Sequence, residues 1–207
     1  MLQGWGGDNL LPAYELERHP VAVRNRKWSW EHMHVRVQIA LNYDPIIHDD
    51  SATGAEQRSK LARQILDYTN VENEGWGIQR GFRYEGSPLI CDEIGNPPSF
   101  DHEHYKPGSW PGTLPPHVFL DDGTPIYNKF GRYFTLLCFN GADGSSIQNA
   151  AKERGVPLEA VDIDDAHARE LYERDLVLVR PDQFVAWRGN WPPDDALHVI
   201  DRARGAL

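Results

Sequence analysis

The strongest constraint on this chain is the regular alternation of strand and helix signals in its second half. Short runs rich in β-branched and aromatic residues occur at 117–120, 133–139, 158–163, 176–179 and 184–187, each the length of a strand. Asp121-Asp122-Gly123 marks a turn between the first two. Helix signals separate the others. Ser145 opens a stretch in which Ile147, Ala150 and Ala151 share one face, and Gly155 stands at the expected C-cap. Asp164 or Asp165 caps a second stretch, with Ala168, Leu171 and Tyr172 facing inward. Arg180-Pro181-Asp182-Gln183 predicts a hairpin turn. Pro193 and Asp194 begin a last helix whose Ala196, Val199, Ile200 and Ala203 form a stripe.

From residue 133 the order is β-α-β-α-β-β-α. A strand–helix–strand unit makes a parallel crossover, and the hairpin adds antiparallel strands. The expected fold is therefore α/β, with a thioredoxin-like unit at 117–207: a central sheet, two crossover helices, a hairpin and a closing helix. Two further parts precede it. Residues 1–25 hold a helix signal in which Leu10, Leu11, Tyr14 and Val21 recur at helical spacing, with Asp8 or Asn9 as cap and Pro12 tolerable in the first turn. An amphipathic helix needs something to pack on, and this one reads as the end of a larger body. Residues 26–116 read as a helical and loop-rich connection. Here 26–50 are rich in Trp and His, with His32 and His34 in a segment read as irregular, and end in a loop at Asn42–Asp50; Thr53 and Glu56 make a capping-box pattern before a helix whose Leu61, Ala62, Ile65 and Tyr68 share a face; 76–90 suggest short strands; and 91–116, dense in Pro, Gly, Asp and His, predict a long ordered loop.

Charge and cysteine usage narrow the function classes. Thirty-one acidic against twenty-one basic residues give a formal charge of −10, and no basic run collects to meet a phosphate backbone, which argues against nucleic acid. The longest apolar run, 134–139, is far short of the roughly 20 residues that span a bilayer, and the N-terminus lacks a secretory h-region. Two widely separated cysteines, Cys91 and Cys138, fit a reducing cytoplasm, with a bridge between them left open.

No residue is assigned a catalytic, cofactor-binding or metal-binding role. The loop after the strand at 133–139 is Asn140-Gly141-Ala142-Asp143-Gly144-Ser145, without the paired thiols of a redox-active unit; Cys138, inside the strand, reads as a small buried hydrophobe. His32-Met33-His34 and Asp101-His102-Glu103-His104 each place side chains two apart, but neither has a partner at a zinc-site spacing. No G-x-G-x-x-G follows a strand and no G-x-S-x-G is present, so Gly4, Gly6, Gly7 and Gly141 to Gly144 read as turn glycines. Trp187 and Trp191 flank Arg188, as core packing or as a partner surface.

Four segments carry a family resemblance: 10–21 (LLPAYELERHPV, through Tyr14, Glu17, Arg18 and Pro20), 81–90 (GFRYEGSPLI, through Tyr84, Ser87 and Pro88), 111–120 (PGTLPPHVFL) and 176–188 (LVLVRPDQFVAWR). Together they resemble the C-terminal part of the FAD-dependent aromatic hydroxylases, the group of phenol hydroxylase and 3-(3-hydroxyphenyl)propionate hydroxylase. The resemblance implies a last domain that is thioredoxin-like without redox cysteines, with FAD and NAD(P)H used by the intact enzyme on a phenolic ring. The flavin-binding motifs of that family would lie before Met1. Two positions depart from the pattern: Leu114 stands where the family has Arg, and Gln183 where its hairpin has Gly.

The leading expectation is the C-terminal portion of a flavin-dependent phenol-type monooxygenase, truncated or split from its FAD-binding domain and inactive alone, with a separate flavin domain or a second copy as partner. Two rivals stand beside it: a non-catalytic thioredoxin-like dimerisation or binding module, and a thiol enzyme built on Cys138. The helix beginning at Leu10 is expected to expose an apolar face and lower the stability of the isolated chain.

Overall fold

The computed structural model describes residues 2–73 and 75–207, and the side chains of all of these except 69–73. It is a mixed α/β structure with one four-stranded sheet. The helices are α1 (Leu10–Leu41), α2 (Ala52–Asn73), α3 (Trp76–Arg80), α4 (Ser145–Glu153), α5 (Ala166–Tyr172) and α6 (Ala196–Ala203). The strands are β1 (Phe134–Phe139), β2 (Leu158–Ile163), β3 (Leu176–Val179) and β4 (Val185–Gly189).

The sheet runs β2-β1-β3-β4. β1 and β2 are parallel, with Phe134 opposite Leu158 and Phe139 opposite Ile163; β1–β3 and β3–β4 are antiparallel. All six residues of β1 are buried, because helices cover both faces and a strand covered twice reads as a continuous apolar run. The pleat sends successive side chains to opposite sides. Phe134, Leu136, Cys138, Leu176 and Leu178 meet Ile147 and Ala150 of α4 and Val199, Ile200 and Ala203 of α6. On the other face Leu137, Phe139, Val177, Val179 and Val185 meet Ala168 and Tyr172 of α5, with Val118 and Ile126 closing the layer. From residue 133 on, the expected element order is the observed one.

Caps are supplied where the sequence offers short acids. Asp165 accepts from the Ala168 N–H and Asp195 from the His198 N–H. At α4 it is Asp143, not Ser145, that does this, accepting from the Ser145 N–H at 2.9 Å. A Cβ on Gly144 would lie 2.6 Å from Leu136 Cδ2, so any larger residue there requires the Leu136 side chain to shift.

The first half differs more from expectation. The helix beginning at Leu10 does not end near residue 25 but runs 32 residues to Leu41, with Pro20 inside it. Residues 21–41 contain neither Gly nor Pro, so nothing in that Trp- and His-rich stretch breaks the hydrogen-bond ladder. After a 3-10 turn at Pro45–His48 the chain turns back as α2, and Gln57 Nε2 donates to the Asn42 carbonyl. The α2 cap is Ser51, whose Oγ accepts from the Gly54 N–H, rather than Thr53 with Glu56. In place of strands, residues 76–90 form α3, a single bridge from Arg83 to Thr113, and turns. Residues 117–120 make only the bridge Phe119–Pro125 around the Asp121-Asp122-Gly123 turn, because Pro115, Pro116 and Pro125 offer no N–H to a ladder. The loop 91–116 is long and irregular, as expected.

Residues before α1 are tied to the end of α6. The Gly7 N–H donates to the Arg204 carbonyl at 2.8 Å and the Asn9 N–H to the Gly205 carbonyl at 2.9 Å. A Cβ on Gly7 would fall 2.2 Å from Gly205 O, so only glycine permits the approach. Trp5 packs edge-on against Phe134 at 5.8 Å.

The hairpin turn closes through Arg180 N–H to Phe184 O (2.8 Å) and Gln183 N–H to Arg180 O (2.9 Å), with Gln183 at φ +72°. The turn accepts a left-handed residue rather than avoiding one. Such a conformation costs a side-chain-bearing residue about 1–2 kcal/mol, part of which glycine returns as extra freedom in the unfolded chain. Gln183→Gly is therefore expected to stabilise the chain by about 0.5–1 kcal/mol, read as a higher urea midpoint with unchanged slope.

Candidate docking face and its anchors

The N-terminal part of α1 has a buried face formed by Ala13, Glu17 and Val21, one helical turn apart. Glu17 is only 5% exposed, an unusual place for a carboxylate unless it is paired. Arg180, at the end of β3, answers it bidentately: Nη1 donates to Glu17 Oε1 at 2.5 Å and Nη2 to Oε2 at 2.9 Å. Nη2 also donates to Asp182 at 2.7 Å. Ser87 Oγ donates to Glu17 Oε1 at 2.5 Å while accepting from the Leu89 N–H. Burial by itself lowers the Arg180 pKa, but its bonds to Glu17 and Asp182 outweigh this and hold it above the ordinary value. Burial also raises the Asp182 carboxyl, with Arg180 opposing.

Aromatic packing surrounds the pair. Tyr84 stacks on Phe184 at 4.1 Å, and Arg18 Nη1 donates to the Tyr84 hydroxyl at 2.8 Å. Leu114, where an Arg was expected, packs against the cluster of Val21, Tyr84 and Phe184. Backbone bonds bring in the loop: Tyr84 N–H to Gly112 O, Gly112 N–H to Val185 O, and Val185 N–H to Thr113 O. All four segments singled out in the sequence thus converge on one joint.

A second joint fastens the 91–116 loop. Arg188, buried on β4, donates from Nε to Glu93 Oε2 at 2.7 Å, from Nη2 to Oε1 at 3.2 Å, and from Nη1 to Ser109 Oγ and to Glu173 Oε2. Arg174 Nη2 donates to Glu93 Oε1 at 2.8 Å, and the Arg188 guanidinium lies over Trp110 at 5.1 Å. Arg188 is accordingly an internal clamp and not part of a surface patch. Of the tryptophans beside it, Trp187 packs against the core and Trp191 is exposed.

The opposite face of α1 is open. Leu16, Val23, Trp30 and Val37 are 54, 50, 61 and 44% exposed and recur every seven residues, with Met33 and Leu41 also exposed beside them. These side chains leave a narrow apolar stripe along the open face of α1. Of the residues read as sharing one face of α2, Leu61 is half-buried, while Ala62, Ile65 and Tyr68 are exposed.

The helix amino termini do not suit a dinucleotide. A pyrophosphate needs free N–H groups and positive potential. Here α4, α5 and α6 are filled by the carboxylates of Asp143, Asp165 and Asp195, α2 by Ser51, and the start of α1 is packed on α6. His32 and His102 both lie beside Trp28, at ring distances of 6.5 and 4.0 Å. His32 and His34 lie on α1, His102 stacks on Trp28 at 4.0 Å, and His104 lies beside Asp101. Among the described residues no group of three or more His, Cys, Asp or Glu is placed to hold a metal. Cys91 and Cys138 are both free and buried, and burial pushes each thiol up to about 11. Among the described residues no helix is long and apolar enough to cross a membrane.

Residues 108–206 match the family described as aromatic-ring hydroxylase, C-terminal. Over these residues, just under half of the chain, it is similar to that family. Along its whole length it is 35% identical to an FAD-dependent monooxygenase, opdD, of Penicillium oxalicum, of which it covers 41%. It is 28% identical to a phenol 2-monooxygenase of a Pseudomonas species, with 91% of the chain matching 36% of that protein. Among solved structures, the rebeccamycin biosynthetic enzyme RebC with reduced flavin superposes with a TM-score of 0.88 at 34% identity, over all of this chain and 38% of RebC. The flavin-dependent monooxygenase PieE, in complex with FAD and substrate, gives 0.84 at 25% identity, over 42% of its own chain. The chain therefore spans about two fifths of the proteins it matches.

The joints lend themselves to direct tests. Glu17→Ala leaves the buried Arg180 guanidinium with Asp182 as its remaining carboxylate partner and is expected to cost up to about 3 kcal/mol in urea unfolding, whereas replacing Glu17 and Arg180 together by Met and Leu should cost much less. With both thiols at about 11, the thiolate fraction at pH 7.5 is small. Alkylation of the native chain by iodoacetamide should be slow there and quicken only as pH approaches 10 and above; rapid labelling at neutral pH would show an opened core.

Proposed function

We propose that this chain is the C-terminal portion of an FAD-dependent, phenol-type aromatic-ring monooxygenase, and that it carries neither flavin nor catalytic residues itself. The single observation that bears most weight is whole-length similarity to flavin monooxygenases of which the chain covers only about two fifths. Acid-filled helix ends that repel a pyrophosphate point the same way. In the intact enzyme FAD, reduced by NAD(P)H, would supply the oxygen chemistry on a phenolic ring; these residues supply the scaffold. The Glu17–Arg180 joint holds α1 in a fixed pose, and the heptad face of α1 is offered to the flavin-bearing part. Two buried free thiols support a reducing, cytoplasmic setting.

A self-associating module is the second reading, favoured by the same apolar face. Against it, Arg26 and Lys27 lie at the middle of the heptad stripe, so antiparallel pairing of two copies would oppose like charges.

The purified chain mixed with FAD is expected to stay colourless after gel filtration, eluting as a monomer or as weak, concentration-dependent species. Substituted for the matching two fifths of the Penicillium relative, it should give a yellow, NAD(P)H-oxidising chimaera, and Trp30→Asp in that chimaera should lower the yield of flavin-loaded protein. Stoichiometric flavin on the chain alone would sink the proposal, while a stable dimer would favour the second reading.

A further inference from the structure

A cavity lies apart from α1, between α3, the 91–116 loop and the corner from α5 into β3. Its volume is about 520 Å³, within the range of clefts that enclose a small organic ligand. Its walls are partly apolar, from the rings of Tyr105 and Trp110 and the side chain of Leu114. Its charge runs against that of the chain, whose formal total is −10. Arg80, Lys106, Arg174 and Arg188 line it, against Asp101 and Glu173.

The four cations are not equivalent. Arg174 and Arg188 are committed to Glu93 and Glu173. Arg80 and Lys106 form no ion pair among the described residues. Arg80, at the end of α3, is half-buried, and a half-buried guanidinium without a carboxylate keeps an unmet demand for an anion. Two phenols lie within its field: burial raises the Tyr105 hydroxyl while Arg80 lowers it, and Arg80 acts in the same way on Tyr127. A single negative charge suits the site better than a double one, because Asp101 and Glu173 also line the cavity. A flat apolar body suits it better than a bare ion, because Tyr105, Trp110 and Leu114 gain nothing from a hydrated anion.

We propose that this cavity binds a small aromatic monoanion of the benzoate type, its carboxylate on Arg80 with Lys106 at the mouth and its ring between Tyr105 and Trp110. The assignment rests on the cavity alone and does not require the reading of the whole enzyme.

Isothermal titration of the full chain with benzoate, acetate and inorganic phosphate tests it. Benzoate should saturate with a dissociation constant near or below about 1 mM, a modest affinity for a ligand of its size. Acetate and phosphate should bind at least tenfold more weakly. Arg80→Ala should weaken benzoate at least tenfold, and the exposed Lys106→Glu severalfold, with circular dichroism melts recorded for each variant. If Arg80→Ala fails to fold, Lys106→Glu carries the test. Absence of saturation by about 10 mM benzoate, unchanged affinity in the folded variants, or phosphate binding as tightly as benzoate would each overturn the proposal.

Discussion

Glu17 and Arg180 are 163 residues apart in sequence and share two hydrogen bonds in a setting almost closed to water. Neither charge tolerates that burial alone, since an unpaired buried ion costs several kcal/mol. The pair must form as a unit, and forming it fixes the pose of α1 against the β3–β4 hairpin. Ser87 completes the carboxylate's coordination and so brings the 81–90 turn to the same point. Beyond Val21 α1 continues for about 30 Å, at 1.5 Å per residue, with Arg24 bonded to the Ile78 carbonyl and Trp28 stacked on His102.

The Arg188 joint acts in the same manner on the long loop. Residues 91–116 have no ladder of their own, and a loop of that length is ordered only if its polar groups find partners. Glu93 near one end and Ser109 near the other both bond to Arg188, and Glu173 and Arg174 close the ring from the α5–β3 corner. The loop is thereby drawn over α3 and the edge of the sheet, and the cavity beside Arg80 is the space it encloses. Two buried arginines, Arg180 in the hairpin turn and Arg188 on β4, thus tie α1 and the long loop to the sheet.

Legibility in the sequence followed the range of the forces involved. β2 and β3, the Asp165 cap, and the buried stripes of α4 and α6 were readable because period-two and period-3.6 patterns and capping acids are local signals. The hairpin turn was readable, though not that Gln183 would take φ +72°, since backbone hydrogen bonds on both sides of it decide that. The strands expected at 76–90 and 117–120 failed because an apolar run becomes a strand only with a neighbour to pair, and prolines denied it one. The long continuation of α1 was misread because its Trp and His residues resemble loop composition, while the absence of Gly and Pro from 21–41 was the better guide. No site residue was named from sequence, and the joints went unnoticed as joints. Glu17, Ser87, Tyr84 and Arg180 were each marked as part of a family pattern, yet nothing in a linear pattern says that a carboxylate on one helix will be buried against a guanidinium far away.

By itself the sequence settled the α/β class, the order of elements from residue 133, the lack of a thiol pair where a redox unit needs one, and the family resemblance, because composition, periodicity and short motifs are properties of neighbouring residues. Tertiary structure alone decided which charges are buried, that four distant motifs meet at one joint, that one face of α1 is packed and the other left open, and that a cationic cavity lies under the long loop. Burial and charge pairing depend on which surfaces meet in space, and chain order does not encode that by local rule.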